Sequence, residues 1–113
     1  MNSKPKIVCL CGSTRFLDTF HRANLMETLA GRIVLSIGCN TQKDANFLIC
    51  ATLLPETKKK LDELHKRKID MCDEVFVLNV DDYVGETVQQ EIEYAQSIGR
   101  PIRWLEGKKE VLL

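Results

Sequence analysis

Short apolar runs alternate with stretches of helical period along the whole chain, and no other feature restricts the fold as much. The runs are Lys6-Ile7-Val8-Cys9-Leu10-Cys11, Ile33-Val34-Leu35-Ser36, Val75-Phe76-Val77-Leu78 and Pro101-Ile102-Arg103-Trp104-Leu105. The first lacks clear apolar/polar alternation, the pattern of a strand covered on both faces in a parallel sheet. Between the runs, Phe16, Phe20, Ala23, Met26 and Ala30 recur at helical spacing, and Gly31 is placed to end that helix. Leu25 and Leu29 fall on its other side and suggest a subunit contact. Pro55 suits the first turn of a helix running to Met71, with Leu61, Leu64, His65, Ile69 and Cys72 on one side. A third helix follows the loop Asp82-Tyr83-Val84-Gly85 and stops at Gly99. Pro101 then opens the fourth strand, where a missing N–H breaks no ladder bond. The stretch from Ile37 to Leu54 shows no clean period and reads as a lid, binding loop or mobile segment, and Gly107 to Leu113 as a short edge strand.

Strands alternating with helices predict an α/β fold with right-handed crossovers and helices on both faces of a parallel sheet. The expectation is a single three-layer domain over residues 1–113, of flavodoxin- or Rossmann-like type, with four or five strands in the order 2-1-3-4(-5). Ligands bind such sheets at the carboxyl ends of the strands, where the order reverses. Here that crevice lies between Gly12 to Arg15 after the first strand and Asn79 to Gly85 after the third.

Composition narrows the partners. Sixteen basic residues balance sixteen acidic ones, so no global field argues for a nucleic acid polymer or an anionic membrane, and the lysines around Lys58 and Lys66 read as a solvated helix face. No stretch approaches the roughly 20 apolar residues of a membrane span, and the first residues lack a signal-peptide core, so a cytoplasmic location is expected. The five cysteines are odd in number and contain no C-x-x-C pair, which indicates neither a disulfide framework nor a metal site. Cys9 and Cys11 share a strand face and read as small buried residues.

One residue breaks the apolar pattern of the third helix. At about 100° per residue, Val88, Ile92 and Ala95 define an apolar arc, and Glu91 falls within it. A carboxylate there is costly unless it is paired or lines a pocket; both an edge-of-stripe ion pair and a site residue satisfy the pattern. His65 comes to the same crevice by arithmetic. Eight residues before Asp73 a helix has risen about 12 Å, against about 16 Å for a five-residue strand, so His65 lies near the strand's upper end, as core residue or ligand. The amides of Gly12 to Arg15, with the Ser13 and Thr14 hydroxyls and the Arg15 guanidinium, suit a phosphate or sugar oxygen. Neither a Walker lysine pattern nor G-x-G-x-x-G is present.

Cys11-Gly12-Ser13-Thr14-Arg15 resembles the Gly-Ser-(Ile/Thr)-Arg turn of nucleoside 2-deoxyribosyltransferases and the related deoxynucleoside 5′-monophosphate N-glycosidases. Met71-Cys72-Asp73-Glu74-Val75-Phe76-Val77, then Glu91-Ile92-Glu93-Tyr94-Ala95 and Gly99-Arg100-Pro101-Ile102, are similar to the A-D-x-V, E-L-G-x-A and G-K-P segments of that superfamily. The resemblance implies a nucleophilic Glu91, ionised and best held at a low pKa. Asp81 or Asp82 would protonate the departing base or hold a sugar hydroxyl, and Gly12 to Arg15 would hold a 5′-phosphate or 5′-hydroxyl. It also implies a nucleoside or nucleotide as small-molecule substrate, a homodimer or higher homo-oligomer, and no metal or organic cofactor. The chain departs from the pattern at His65, where the family often has aspartate, and at Thr87 and Gln89, where small residues usually precede the nucleophile. Gly85 replaces a phosphate-binding serine, with Thr87 near enough to substitute. Cleavage or transfer at an N-glycosidic bond is one expectation. The alternatives are a non-catalytic nucleotide or sugar-phosphate binding module of the same fold, and an interaction protein using Leu25 and Leu29.

Overall fold

A computed structural model describes residues 4–37 and 55–107 of the chain. Strand β1 (Ile7–Cys11) leads through a 3-10 turn (Thr14–Phe16) into α1 (Leu17–Leu29), followed by β2 (Ile33–Leu35). After residues 38–54 come α2 (Pro55–Met71), β3 (Glu74–Val77), a second 3-10 turn (Val80–Asp82), α3 (Glu86–Ser97) and β4 (Ile102–Trp104). The expected loop at 37–54 and edge strand at 107–113 fall, beyond Ile37 and Gly107, outside the described residues.

All four strands run parallel in the order β2-β1-β3-β4. Strand β1 sits in the middle because its residues from Val8 to Cys11 tolerate cover on both faces. The two-residue period divides them. Cys9 and Cys11, with Val75 and Val77, pack beneath Ile69 of α2 and Val88, Ile92 and Ala95 of α3. Val8 and Leu10, with Phe76 and Leu78, pack against Phe20 and Ala23 of α1. Each fully buried aliphatic side chain contributes about 1.5–3 kcal/mol, and the alternation splits that gain between two cores. At the foot of the sheet, Asp73 accepts a hydrogen bond from the Ile7 amide at 2.8 Å, and its own amide donates to the Ile7 carbonyl at 2.7 Å. No helix among the described residues is long and apolar enough to cross a membrane.

Helices α1 and α3 stop at Gly31 and Gly99, where the sequence places their ends, both at positive φ. Two expectations on the helical faces are corrected. Met26 is 61% exposed, and the buried stripe of α1 is Phe20, Ala23 and Glu27. Steps of three residues fall about 60° short of a full turn, so counting from Phe20 through Ala23 to Met26 drifts off the buried face. Leu64 is 54% exposed for a related reason: it stands about 100° from His65, and the inward stripe of α2 runs through His65 and Ile69.

Candidate functional site

Order reversal in the sheet falls between β1 and β3, and a cavity of about 410 Å³ opens above their carboxyl ends. The turn after β1 supplies Gly12, Ser13 and Thr14; α2 supplies Lys58, Leu61, Asp62, Leu64, His65 and Lys68. The start of α3 supplies Gly85 through Val88, and its second turn supplies Glu91. Glycine at position 12 permits this approach, since a Cβ there would stand 3.1 Å from the Leu78 Cβ and 3.3 Å from the Leu78 carbonyl oxygen.

Ser13 accepts a hydrogen bond from the Arg15 amide at 3.3 Å, and the Phe16 amide donates to the Ser13 carbonyl at 3.0 Å. The anion cradle expected over Gly12 to Arg15 is therefore partly satisfied from within. Arg15 lies over the Tyr83 ring, 4.6 Å from its centroid, and Phe16 meets the same ring edge-on. These contacts join the turn after β1 to the loop after β3, with Tyr83 on the cavity wall and Arg15 behind it. The N-terminus of α3 begins at Gly85, which has no side chain to cap it, and Gly85 through Val88 line the cavity, so the positive end of the helix dipole lies at that wall.

Glu91 is 8% exposed and His65 7%. His65 Nε2 lies 3.9 Å from Glu91 Oε1, 3.4 Å from Cys11 Sγ and 3.7 Å from Cys9 Sγ. Burial raises the Glu91 pKa above the usual carboxylate range, although His65 and a hydrogen bond from Cys11 oppose it. The low value expected of an attacking carboxylate is thus reversed in direction, because desolvation outweighs one imidazole. For His65, burial works downward, but the hydrogen bond with Cys9 and the charge of Glu91 outweigh it and raise its pKa. Cys9 is lowered to about 6 by its hydrogen bond with Cys11, with His65 assisting against burial. Cys11 moves the opposite way, raised by that same bond and by burial.

Two cations enter that sequence reading assigned to a solvated face. Lys58 Nζ donates to Asp62 at 2.8 Å and to Thr87 Oγ1 at 3.4 Å, and Lys68 Nζ donates to the Ser36 carbonyl at 2.6 Å. Both line the cavity. The signal was available in principle, since Lys58, Leu61, His65 and Lys68 share one helical face at spacings of three and four.

Of the residues expected at the site, Gly12, Ser13, Thr14, His65, Gly85, Thr87 and Glu91 come together around the cavity. Arg15, stacked on the Tyr83 ring, does not line it, and neither do Asp81 and Asp82. The two aspartates are exposed in the second 3-10 turn at φ of 54° and 61°, a left-handed conformation that short polar residues tolerate best. Asp82 accepts from the buried Asn79 at 3.2 Å, and the Asp81 amide donates to Glu106 at 2.8 Å. Among the described residues, the carboxylates that do reach the cavity besides Glu91 are Asp62 and Glu86.

Cys9, Cys11 and His65 form a cluster the sequence did not announce. Their donor atoms all lie within 4.8 Å of one another. The shared face of the two cysteines and the inward position of His65 were each legible; that α2 would cover the very face of β1 that carries both sulfurs was not.

Comparison with family models, with curated proteins and with solved structures found no match.

Proposed function

We propose that the protein cleaves an N-glycosidic bond, or transfers a 2-deoxyribosyl group, on a nucleoside or nucleoside 5′-monophosphate. The observation that carries this reading is the position of Glu91, withdrawn from solvent on the apolar stripe of α3 yet on the wall of the cavity. Among the described residues the cationic partner of this core carboxylate is an imidazole; such a carboxylate is expensive, and a site for a sugar ring gives it a use. The carboxylate oxygen attacks the anomeric carbon while the bond to the base nitrogen breaks and its electron pair leaves with the base. Water or a second base then attacks the same carbon, releasing the carboxylate. Asp62 and Glu86, rather than Asp81 and Asp82, are the cavity carboxylates able to protonate the departing base. The N-terminal end of α3, Ser13, Thr14, Lys58 and Lys68 favour an anionic group such as a 5′-phosphate at the other end.

The reading takes residues 1–113 as one flavodoxin- or Rossmann-like domain, cytoplasmic, whose glycosidic step needs no metal or organic cofactor. The exposed Leu25, Met26 and Leu29 of α1 support self-association through that face. Leu25→Asp with Leu29→Asp is expected to lower the solution mass measured by light scattering, and an unchanged mass removes this part.

Incubation with deoxynucleosides and their monophosphates, with free base followed by chromatography, tests the activity. Wild type is expected to release base, and Glu91→Ala to lose roughly a thousandfold or more. Equal release by both proteins would falsify the role of Glu91. A ligand-dependent rise in melting temperature with the nucleotide recovered intact would identify a binding module instead, a reading favoured by the absence of Asp81 and Asp82 from the cavity wall.

A further inference from the structure

We propose that Cys9, Cys11 and His65 bind a thiophilic divalent cation, zinc in the first place, at the floor of the cavity. The inference is separate from the glycosidic reading, which asks for no metal. Residues two apart on a strand send their side chains to one face, so β1 presents both sulfurs to α2, and α2 turns His65 Nε2 toward them. With Zn–S near 2.3 Å and Zn–N near 2.0 Å, the edge of a tetrahedron joining sulfur to nitrogen measures roughly 3.5 Å. The two observed edges, 3.4 Å from Cys11 Sγ and 3.7 Å from Cys9 Sγ, bracket that length. The three donors lie within 4.8 Å of one another, close to the span one ion bridges.

Donor chemistry selects the ion. Two sulfurs and one imidazole make a soft set that favours zinc over magnesium or calcium. A disulfide is the poorer use of the two thiols: on one strand their Cα atoms stand about 6.6 Å apart with parallel side chains, at the far edge of disulfide geometry. His65 lines the cavity, and Glu91 Oε1 stands 3.9 Å from its Nε2, so both the cavity and a carboxylate adjoin the cluster. Three protein ligands and one open position is the layout of zinc sites that take a water or a substrate atom. Two thiols, an imidazole and a carboxylate gathered in one buried place are costly as packing alone.

The test uses the reduced full-length protein titrated with cobalt(II), then with zinc. One equivalent of cobalt is expected to give a thiolate-to-cobalt charge-transfer band and visible bands of tetrahedral intensity, both erased by one equivalent of zinc. Cys9→Ser, Cys11→Ser and His65→Gln are each expected to lose or weaken these bands, and Cys72→Ser, whose thiol donates to the Ile69 carbonyl at 3.1 Å, to keep them. A cobalt spectrum without charge transfer, or one unchanged in the Cys9→Ser, Cys11→Ser double variant, overturns the proposal. For any variant that loses its circular dichroism, wild-type alkylation in moderate urea reads the same point. Protection of Cys9 and Cys11 by one equivalent of zinc supports the site, and unchanged alkylation overturns it. Neither readout involves release of base.

Discussion

Glu27 and Glu91 are both carboxylates turned inward from helices, and their partners decide what each can do. Glu27, 6% exposed, accepts hydrogen bonds from Arg103 and Arg32. Burial works to raise its pKa, but the two guanidinium groups outweigh it and hold the carboxyl below its usual value. Breaking a buried pair costs about 3–5 kcal/mol, and the partial exposure of both arginines reduces this. Glu27→Gln is accordingly expected to lower unfolding stability by about 1–3 kcal/mol in urea titrations near neutral pH. A depressed folded pKa means that the contribution is complete above the unfolded value of about 4.3 and is lost as pH falls through the folded value. The gap between wild type and Glu27→Gln should therefore close in acid. At the cavity, Lys58→Ala is expected to raise KM for a nucleoside monophosphate by roughly tenfold while leaving the free nucleoside nearly unchanged, the signature of a lost charge-assisted contact. The inward turn of Glu91 was legible because it falls on the arc defined by the apolar Val88, Ile92 and Ala95. That of Glu27 was not, because Arg103, its principal partner, lies 76 residues away, although Arg32 is near in sequence.

The strands and the second and third helices were legible as elements, because burial on both faces leaves unbroken apolar runs and α2 keeps its period from Pro55 to Met71. The turns between them were not. The sequence placed the start of the first helix at Phe16, whereas a 3-10 turn over Thr14–Phe16 precedes α1, with Ser13 as its cap. Asp81 and Asp82 were expected as site acids from the family resemblance, but their left-handed backbone belongs to a turn that ends before α3 begins. The approach of that region to β1 rests on position 12. Gly12→Ala is expected to destabilise the fold by about 1–3 kcal/mol, the range of core overpacking, because one of the atoms it meets is the Leu78 main-chain oxygen. Chemical denaturation measures this, and a change within experimental error would mean that the two strand ends can part without cost.

Across the whole molecule, the last strand closes interactions begun by the first helix. Strand β4 supplies Arg103, which lies over the Phe76 ring at 4.0 Å and binds Glu27 of α1 and Glu74 of β3. Its flanking residues add main-chain bonds from Val75 to the Pro101 carbonyl at 2.9 Å and from Leu105 to the Val77 carbonyl at 2.9 Å. A chain ending at residue 99 would leave Val75 and Val77 on an open sheet edge and Glu27 without its principal cation. It is expected to lack the cooperative thermal transition of the full protein in circular dichroism, and a sharp transition at unaltered temperature would refute that dependence. The strand order matches the expected one, and right-handed crossovers with helices on both faces agree with it without fixing it. The closure of α1 by β4 was not legible, since only coordinates bring such distant residues together. Because β1 finds its central neighbour only when β3 arrives, 66 residues lie between the partners that knit the foot of the sheet. A nascent polypeptide emerging from the ribosome therefore carries β1 unpaired on that side until β3 has been made and can dock, so chaperone demand should fall at β3 rather than at β4.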